Sequence, residues 1–184
     1  MILYIHGFGS CGEGGKASLF RDYFASQGMP FIAPSLSYVP ALAMGTLEEL
    51  IGSYDEVTLI GSSLGGYYSL YLAEKYGLNA VLINPAVASA KTLQRAVDLE
   101  GNAKNYYDDS SFEWNSGHLD MLASFETVEN SASYLLLLQK GDDVLDYKDA
   151  LDKLPHARLV LEEEGSHTFE DIARHFEMIR DFVS

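Results

Sequence analysis

The sequence predicts an α/β domain of three layers, a mostly parallel central sheet with helices on both faces. Three observations predict it. Short aliphatic runs alternate with helical patterns from one end of the chain to the other, the βαβα rhythm that builds parallel sheets. Those runs are bounded by Gly, Pro, Asn or Ser, as strands are. The 184 residues, 47% hydrophobic and 21% charged, suffice for one compact domain with a real core.

Taken in order, the first strand is expected at Ile2–Ile5, running into His6-Gly7-Phe8-Gly9. A helix follows over Lys16–Gln27, a strand over Phe31–Ala33 and a helix over Thr46–Tyr54. Val57–Ile60 is the next strand, Leu64–Tyr76 the next helix and Ala80–Ile83 the next strand. After a long interruption come a strand at Tyr134–Gln139, a helix at Tyr147–Leu154, a strand at Arg158–Leu161 and a helix at Phe169–Phe182. The interruption, residues 86–130, shows no strand pattern. Helical pieces are expected near Ala90–Leu99 and Leu119–Glu129, joined by a polar-aromatic stretch, Asn105 to Trp114. Long connections in small domains tend to be functional, so this segment is expected to be a helical, lid-like insertion or pocket wall.

Charge and composition exclude several classes. The formal charge is −15, from 27 acidic against 12 basic residues, with no Lys/Arg cluster. That field repels a phosphate backbone and anionic membranes, so nucleic acid and membrane are not expected partners. No apolar run approaches the roughly 20 residues of a membrane-spanning helix. Met1-Ile-Leu-Tyr-Ile5 carries no basic leader and does not read as a signal peptide. The single cysteine, Cys11, excludes an intrachain disulfide and suits a reducing compartment, so the cytoplasm is the expected location.

The chemistry concentrates where Val57–Ile60 meets Gly61-Ser62-Ser63-Leu64-Gly65-Gly66. This is Gly-x-Ser-x-Gly in a strand–turn–helix context. A sharp turn lifts the Ser63 hydroxyl clear of the sheet, and residues two before and two after it must then approach closely. Gly61 and Gly65 have no Cβ to collide, and Gly66 lets the helix pack tightly. The helix N-terminus favours negative charge beside Ser63, which makes the Leu64 amide an oxyanion donor. Ser62 fails the glycine spacing and reads as structural. The loop after the first strand should supply the second oxyanion donor, assigned to the Phe8 amide, with His6 shaping that loop.

Two cofactor readings of the same loop fail. Gly7-Phe8-Gly9-Ser10-Cys11-Gly12 fits the dinucleotide spacing, but no Asp or Glu occurs between Asp22 and Glu48 to bind a ribose. A phosphate loop ending at Gly15-Lys16 would need a glycine where Ser10 stands and Ser or Thr where Ala17 stands. No cofactor is expected, and no metal, since no His or Cys pair has ligand spacing.

A serine hydroxyl needs a base and an acid to orient that base. Of the histidines, only His167 lies in a loop between a late strand and the last helix, with Gly165 and Ser166 to fold it inward. His156 and His175 read as surface residues. His118 is a pocket candidate within the insertion, as is His6 near the nucleophile. The acid should follow Tyr134–Gln139, in Gly141-Asp142-Asp143-Val144-Leu145-Asp146. Asp142 is assigned, with Asp143 as the rival and Asp146 as a helix cap. Tyr106, Tyr107, Phe112 and Trp114 are aromatic candidates for an acyl pocket or for core.

These segments together resemble a known family. Ile2 to Phe8, Gly61 to Tyr68, Leu82-Ile83-Asn84-Pro85-Ala86, Gly141 to Tyr147 and Gly165-Ser166-His167 resemble the YqiA-type bacterial esterases, small α/β-hydrolases, nearly end to end. The resemblance implies an α/β-hydrolase fold and an esterase or thioesterase with Ser63 as nucleophile, Asp142 as acid and His167 as base. The stretch Cys11 to Gly15 is more glycine-rich and acidic than the family pattern. The expected reaction is cleavage of a small-molecule acyl ester or thioester through an acyl-enzyme. The alternatives are a non-catalytic binding protein on the same fold, or a peptidase or acyltransferase using the same three residues.

Overall fold

Six strands form one sheet in the computed structural model, which describes residues 1–96, 101–128 and 131–184. They are β1 (Ile2–Ile5), β2 (Phe31–Ile32), β3 (Thr58–Ser62), β4 (Ala80–Ile83), β7 (Tyr134–Gln139) and β8 (Arg158–Glu162). Their order is β2-β1-β3-β4-β7-β8, and every adjacent pair is parallel. Two further strands, β5 (Asn102–Lys104) and β6 (Ser111–Glu113), lie apart, in the segment between β4 and β7.

The strands are apolar on both faces because both are covered. Leu3, Ile5, Leu59, Leu82, Leu136 and Leu138 share a core with α2 (Pro40–Gly52), α3 (Leu64–Tyr76) and α6 (Tyr147–Lys153). Ile2, Tyr4, Ile60, Val81, Leu135 and Leu137 point the other way, against α1 (Gly15–Ser26) and α7 (Phe176–Val183). Phe20, Phe24 and Ile179 are wholly buried there. The three-layer expectation is met, and among the described residues no helix is long and apolar enough to cross a membrane.

This topology positions the site. From β1 the chain runs outward to β2 and then returns to β3 on the other side of β1. The C-terminal ends of β1 and β3 therefore flank a switch point, where the loops diverge and leave a crevice. Both the His6–Gly9 loop and Ser63 emerge there.

Three elements depart from expectation. α2 begins at Pro40, six residues early, because proline at the first helical position has φ already set and needs no amide partner. The last helix begins at Phe176 rather than Phe169. Phe169 and Asp171 take φ of +58° and +52°, which interrupts any continuous helix, and a 3-10 turn fills Ile172–His175. The segment 86–130 is not purely helical. It contains α4 (Ser89–Thr92), a 3-10 turn (Leu93–Ala96) and α5 (Ser116–Ala123), but also an antiparallel hairpin, β5 (Asn102–Lys104) with β6 (Ser111–Glu113). Each hairpin strand is three residues of largely polar sequence, with no aliphatic run to announce it. Residues 97–99 and 129 of the two expected helices lie outside the described residues.

Candidate active site

β3 ends at Ser62, and α3 begins at Leu64, so the whole turn is Ser63. Its φ of 54° and ψ of −118° lie outside the ordinary regions for an L-residue, a strain of about 1–3 kcal/mol that the surroundings must hold. They do so with backbone bonds. The Ser63 amide donates to Ile83 O, and Ser63 O accepts from Gly66, Tyr67 and Ala86. The glycines permit the crowding. A Cβ on Gly61 would stand 2.3 Å from Gly65 O, and one on Gly65 would stand 1.9 Å from Ile5 O. A Cβ on Gly66 would meet the Pro85 ring at 2.5 Å. Ser62 is buried in β3, its hydroxyl against that of Tyr4.

The Ser63 Oγ lies 2.9 Å from His167 Nε2, and His167 Nδ1 lies 2.8 Å from Asp142 Oδ2. These atoms come from the ends of three strands, at 104 and 25 residues' separation in the chain. The Asp142 side chain is 3% exposed and that of His167 is 22% exposed. Asp142 Oδ1 accepts from the amides of Val144 and Leu145 at 2.9 and 2.8 Å, which folds the loop into an Asx turn and leaves Oδ2 for the imidazole. Asp143 is exposed. Asp146 caps α6, accepting from Lys148 N.

The loop after β1 sits against Ser63. A Cβ on Gly7 would come 3.3 Å from Ser63 Cβ and 3.8 Å from its Oγ, so this loop passes directly beside the hydroxyl. The Leu64 amide opens α3 and has no acceptor within that helix. His6 is 7% exposed and is fixed at both nitrogens: Nδ1 donates to Gly7 O, and Nε2 accepts from Leu36 N at 3.0 Å. Burial lowers its pKa, only partly offset by the bond to Gly7, which keeps the ring neutral. The ring thereby ties this loop to the one after β2.

A small, partly open cleft adjoins Leu64 and is walled by His6, Phe8, Leu36, Tyr38, Tyr68 and Trp114. Segment 86–130 builds part of that wall. Trp114 packs edge-on against Phe8 at 4.8 Å, and Phe112 stacks on Tyr38 at 3.7 Å. Trp114 and His6 therefore line the cavity, whereas two other candidates do not. Tyr106 is 70% exposed, joined to the β1 loop through its amide to Gly9 O. His118 completes a capping box for α5, its Nδ1 accepting from Asn115 N, and stacks on the Trp114 ring at 5.0 Å. Its sequence neighbourhood, Asn115 three residues ahead of it, was the available sign of a cap.

Three polar residues around His167 carried no sequence assignment. Lys16, on α1, donates to Thr168 O, and its pKa is pushed down to about 8 by burial, against the pull of Asp142's charge. Asn84 and Gln139, at the ends of β4 and β7, are 2% and 1% exposed and bond the His167 loop. His175, expected at the surface, is instead half-buried against Phe169, its Nε2 2.9 Å from Glu162. Burial by itself would raise the Glu162 pKa, but bonds from Gln139, Arg174 and His175 bring it to about 2. Among the described residues no group of three or more His, Cys, Asp or Glu could hold a metal ion.

The family model UPF0227, an uncharacterised protein family, matches residues 1–184. A UPF0227 protein of Vibrio campbellii is 24% identical over 188 residues, covering 99% of this chain and 98% of that one. The crystal structure of a putative hydrolase from Agrobacterium vitis superposes with a TM-score of 0.79 at 18% identity, over 100% of this chain and 87% of that one. Est1E of Butyrivibrio proteoclasticus, solved with ferulic acid bound, gives 0.71 at 12% identity, over 99% and 85%. Sheet order, layers and these superpositions agree on the α/β-hydrolase fold, and the chain belongs to the UPF0227 family, the YqiA-type family its motifs resemble.

Proposed function

We propose that this protein is a serine hydrolase that cleaves a carboxylic ester or thioester of a small molecule through an acyl-enzyme. The carrying observation is the continuous hydrogen-bonded path from Ser63 Oγ through His167 to Asp142, set on a strained turn at the switch point. His167 takes the Ser63 proton as Oγ attacks the acyl carbon, and Asp142 orients the ring and stabilises its positive charge. The amides of Phe8 and Leu64 receive the oxyanion, donors worth about 3–4 kcal/mol each in serine hydrolases. His167 then protonates the departing alcohol or thiol, and water repeats the sequence on the acylated Ser63.

The aromatic cavity beside Leu64 is the acyl site, and segment 86–130 acts as its wall and lid by way of Phe112 and Trp114. Est1E, of the same fold, holds ferulic acid, an aromatic acid, which supports this reading of an aromatic-walled site. Cys11, unpaired, supports a reducing, cytoplasmic setting.

Hydrolysis of p-nitrophenyl esters of graded acyl length, by wild type and by Ser63→Ala, tests the proposal. Wild type is expected to turn over the shorter esters, and Ser63→Ala to lose at least about a thousandfold in rate. Undiminished activity in the variant would remove Ser63 from the chemistry.

A further inference from the structure

The loop that carries His167 makes a turn bond from Phe169 N to Ser166 O and pairs the Ser166 and Thr168 hydroxyls, but its anchorage to the sheet comes from outside it. It is gripped by two amide side chains at the ends of neighbouring strands. Asn84 Nδ2 donates to Ser166 O at 2.9 Å and to His167 O at 3.2 Å, while its Oδ1 accepts from Gln139 N at 3.0 Å. Gln139 Oε1 accepts from the amides of Ser166 and Glu170 at 3.1 and 2.8 Å. Its Nε2 donates to Glu170 O and to Glu162. Every polar atom of both amides is used, in a region closed to water.

The same short corner also holds the nucleophile. Two residues beyond Asn84, the Ala86 amide donates to Ser63 O at 3.0 Å, and between them Pro85 abuts Gly66 of α3. Asn84 itself is pinned by its own amide to Leu137 O and sits at φ +39°, a conformation Asn tolerates better than most residues. One three-residue corner thus grips the backbone of Ser63 on one side and that of His167 on the other.

We infer that Asn84, braced by Gln139, is a positioning residue that sets the separation of Ser63 and His167. This rests on the serine-hydrolase reading above. The chemistry at position 84 is narrow. A group there must accept one amide proton and donate two, which Asn alone does at that size. Aspartate has the shape but turns an acceptor on two carbonyl oxygens, pushing the His167 backbone away. Proton transfer needs Oγ and Nε2 within hydrogen-bond reach, and a displacement of about 1 Å costs about a hundredfold in rate.

The test compares kcat, KM and melting temperature for wild type, Asn84→Asp, Asn84→Gly and Glu74→Gln on a p-nitrophenyl ester. Glu74 serves as the stability control. It binds Ser131, Ala132 and Tyr134 at the opposite end of β7 and touches nothing in the site. Both Asn84 variants are expected to lose about a hundredfold in kcat per folded molecule with KM within about twofold. Glu74→Gln is expected to melt lower and keep its kcat. Retained kcat in either folded Asn84 variant, or rate lost only in step with the folded fraction, would overturn the inference while leaving the hydrolase reading intact. A wild type inert on every ester and thioester would bring down the hydrolase reading, and the inference with it.

Discussion

Asp142 and Asp143 are adjacent carboxylates with opposite fates, and the difference lies in the Asx turn. Oδ1 of Asp142 closes the turn on Val144 and Leu145, which aims Oδ2 at His167, while Asp143 is left in solvent. Asp142→Asn keeps the shape but presents an amide to a ring nitrogen that must be a donor. The analogous change in serine proteases costs about ten-thousandfold. Asp142→Asn is therefore expected to lose at least a hundredfold more kcat than Asp143→Asn, and steady-state ester hydrolysis by the two variants checks it. At this scale the sequence was informative where spacing was local, as in Gly61 to Gly65, which fixed attention on Ser63. Asn84, although inside the Leu82–Ala86 motif that carries the resemblance, and Gln139 were given no role, because they bond a loop 82 and 27 residues away. Nothing in a single sequence records such distances.

Among the elements, α3 shows how packing overrides helix propensity. Gly66 lies in the first turn of a 13-residue helix, where alanine would ordinarily stabilise by about 0.5–1 kcal/mol. Here a Cβ would strike Pro85, whose ring and Cα stand 2.5 and 2.9 Å away, and neither is the end of a flexible chain. Gly66→Ala is expected to destabilise by about 1–3 kcal/mol, read as a lowered midpoint in urea unfolding. The aliphatic strands β1, β4 and β7 were legible to the residue because burial on both faces demands unbroken hydrophobic runs. The hairpin β5–β6 was not. Its strands hold through pairing and through Phe112 and Ala103 turned inward, against a background of polar residues.

For the molecule as a whole, the parallel order β2-β1-β3-β4-β7-β8 delivers every loop of the site to one end of the sheet. The βαβα rhythm was enough to expect that arrangement, whereas the way segment 86–130 folds over the β1 loop depends on contacts such as Phe8 with Trp114 that no periodicity encodes. The same end of the sheet is where Ser63, His167 and Asp142 converge, and the proposed function holds that this convergence activates one hydroxyl among many. Treatment with a fluorophosphonate, which phosphonylates only serines so activated, followed by peptide mass spectrometry, tests it most directly. A single adduct on Ser63, absent in His167→Ala, is the predicted result; no adduct on Ser63, or equal labelling without His167, would contradict it.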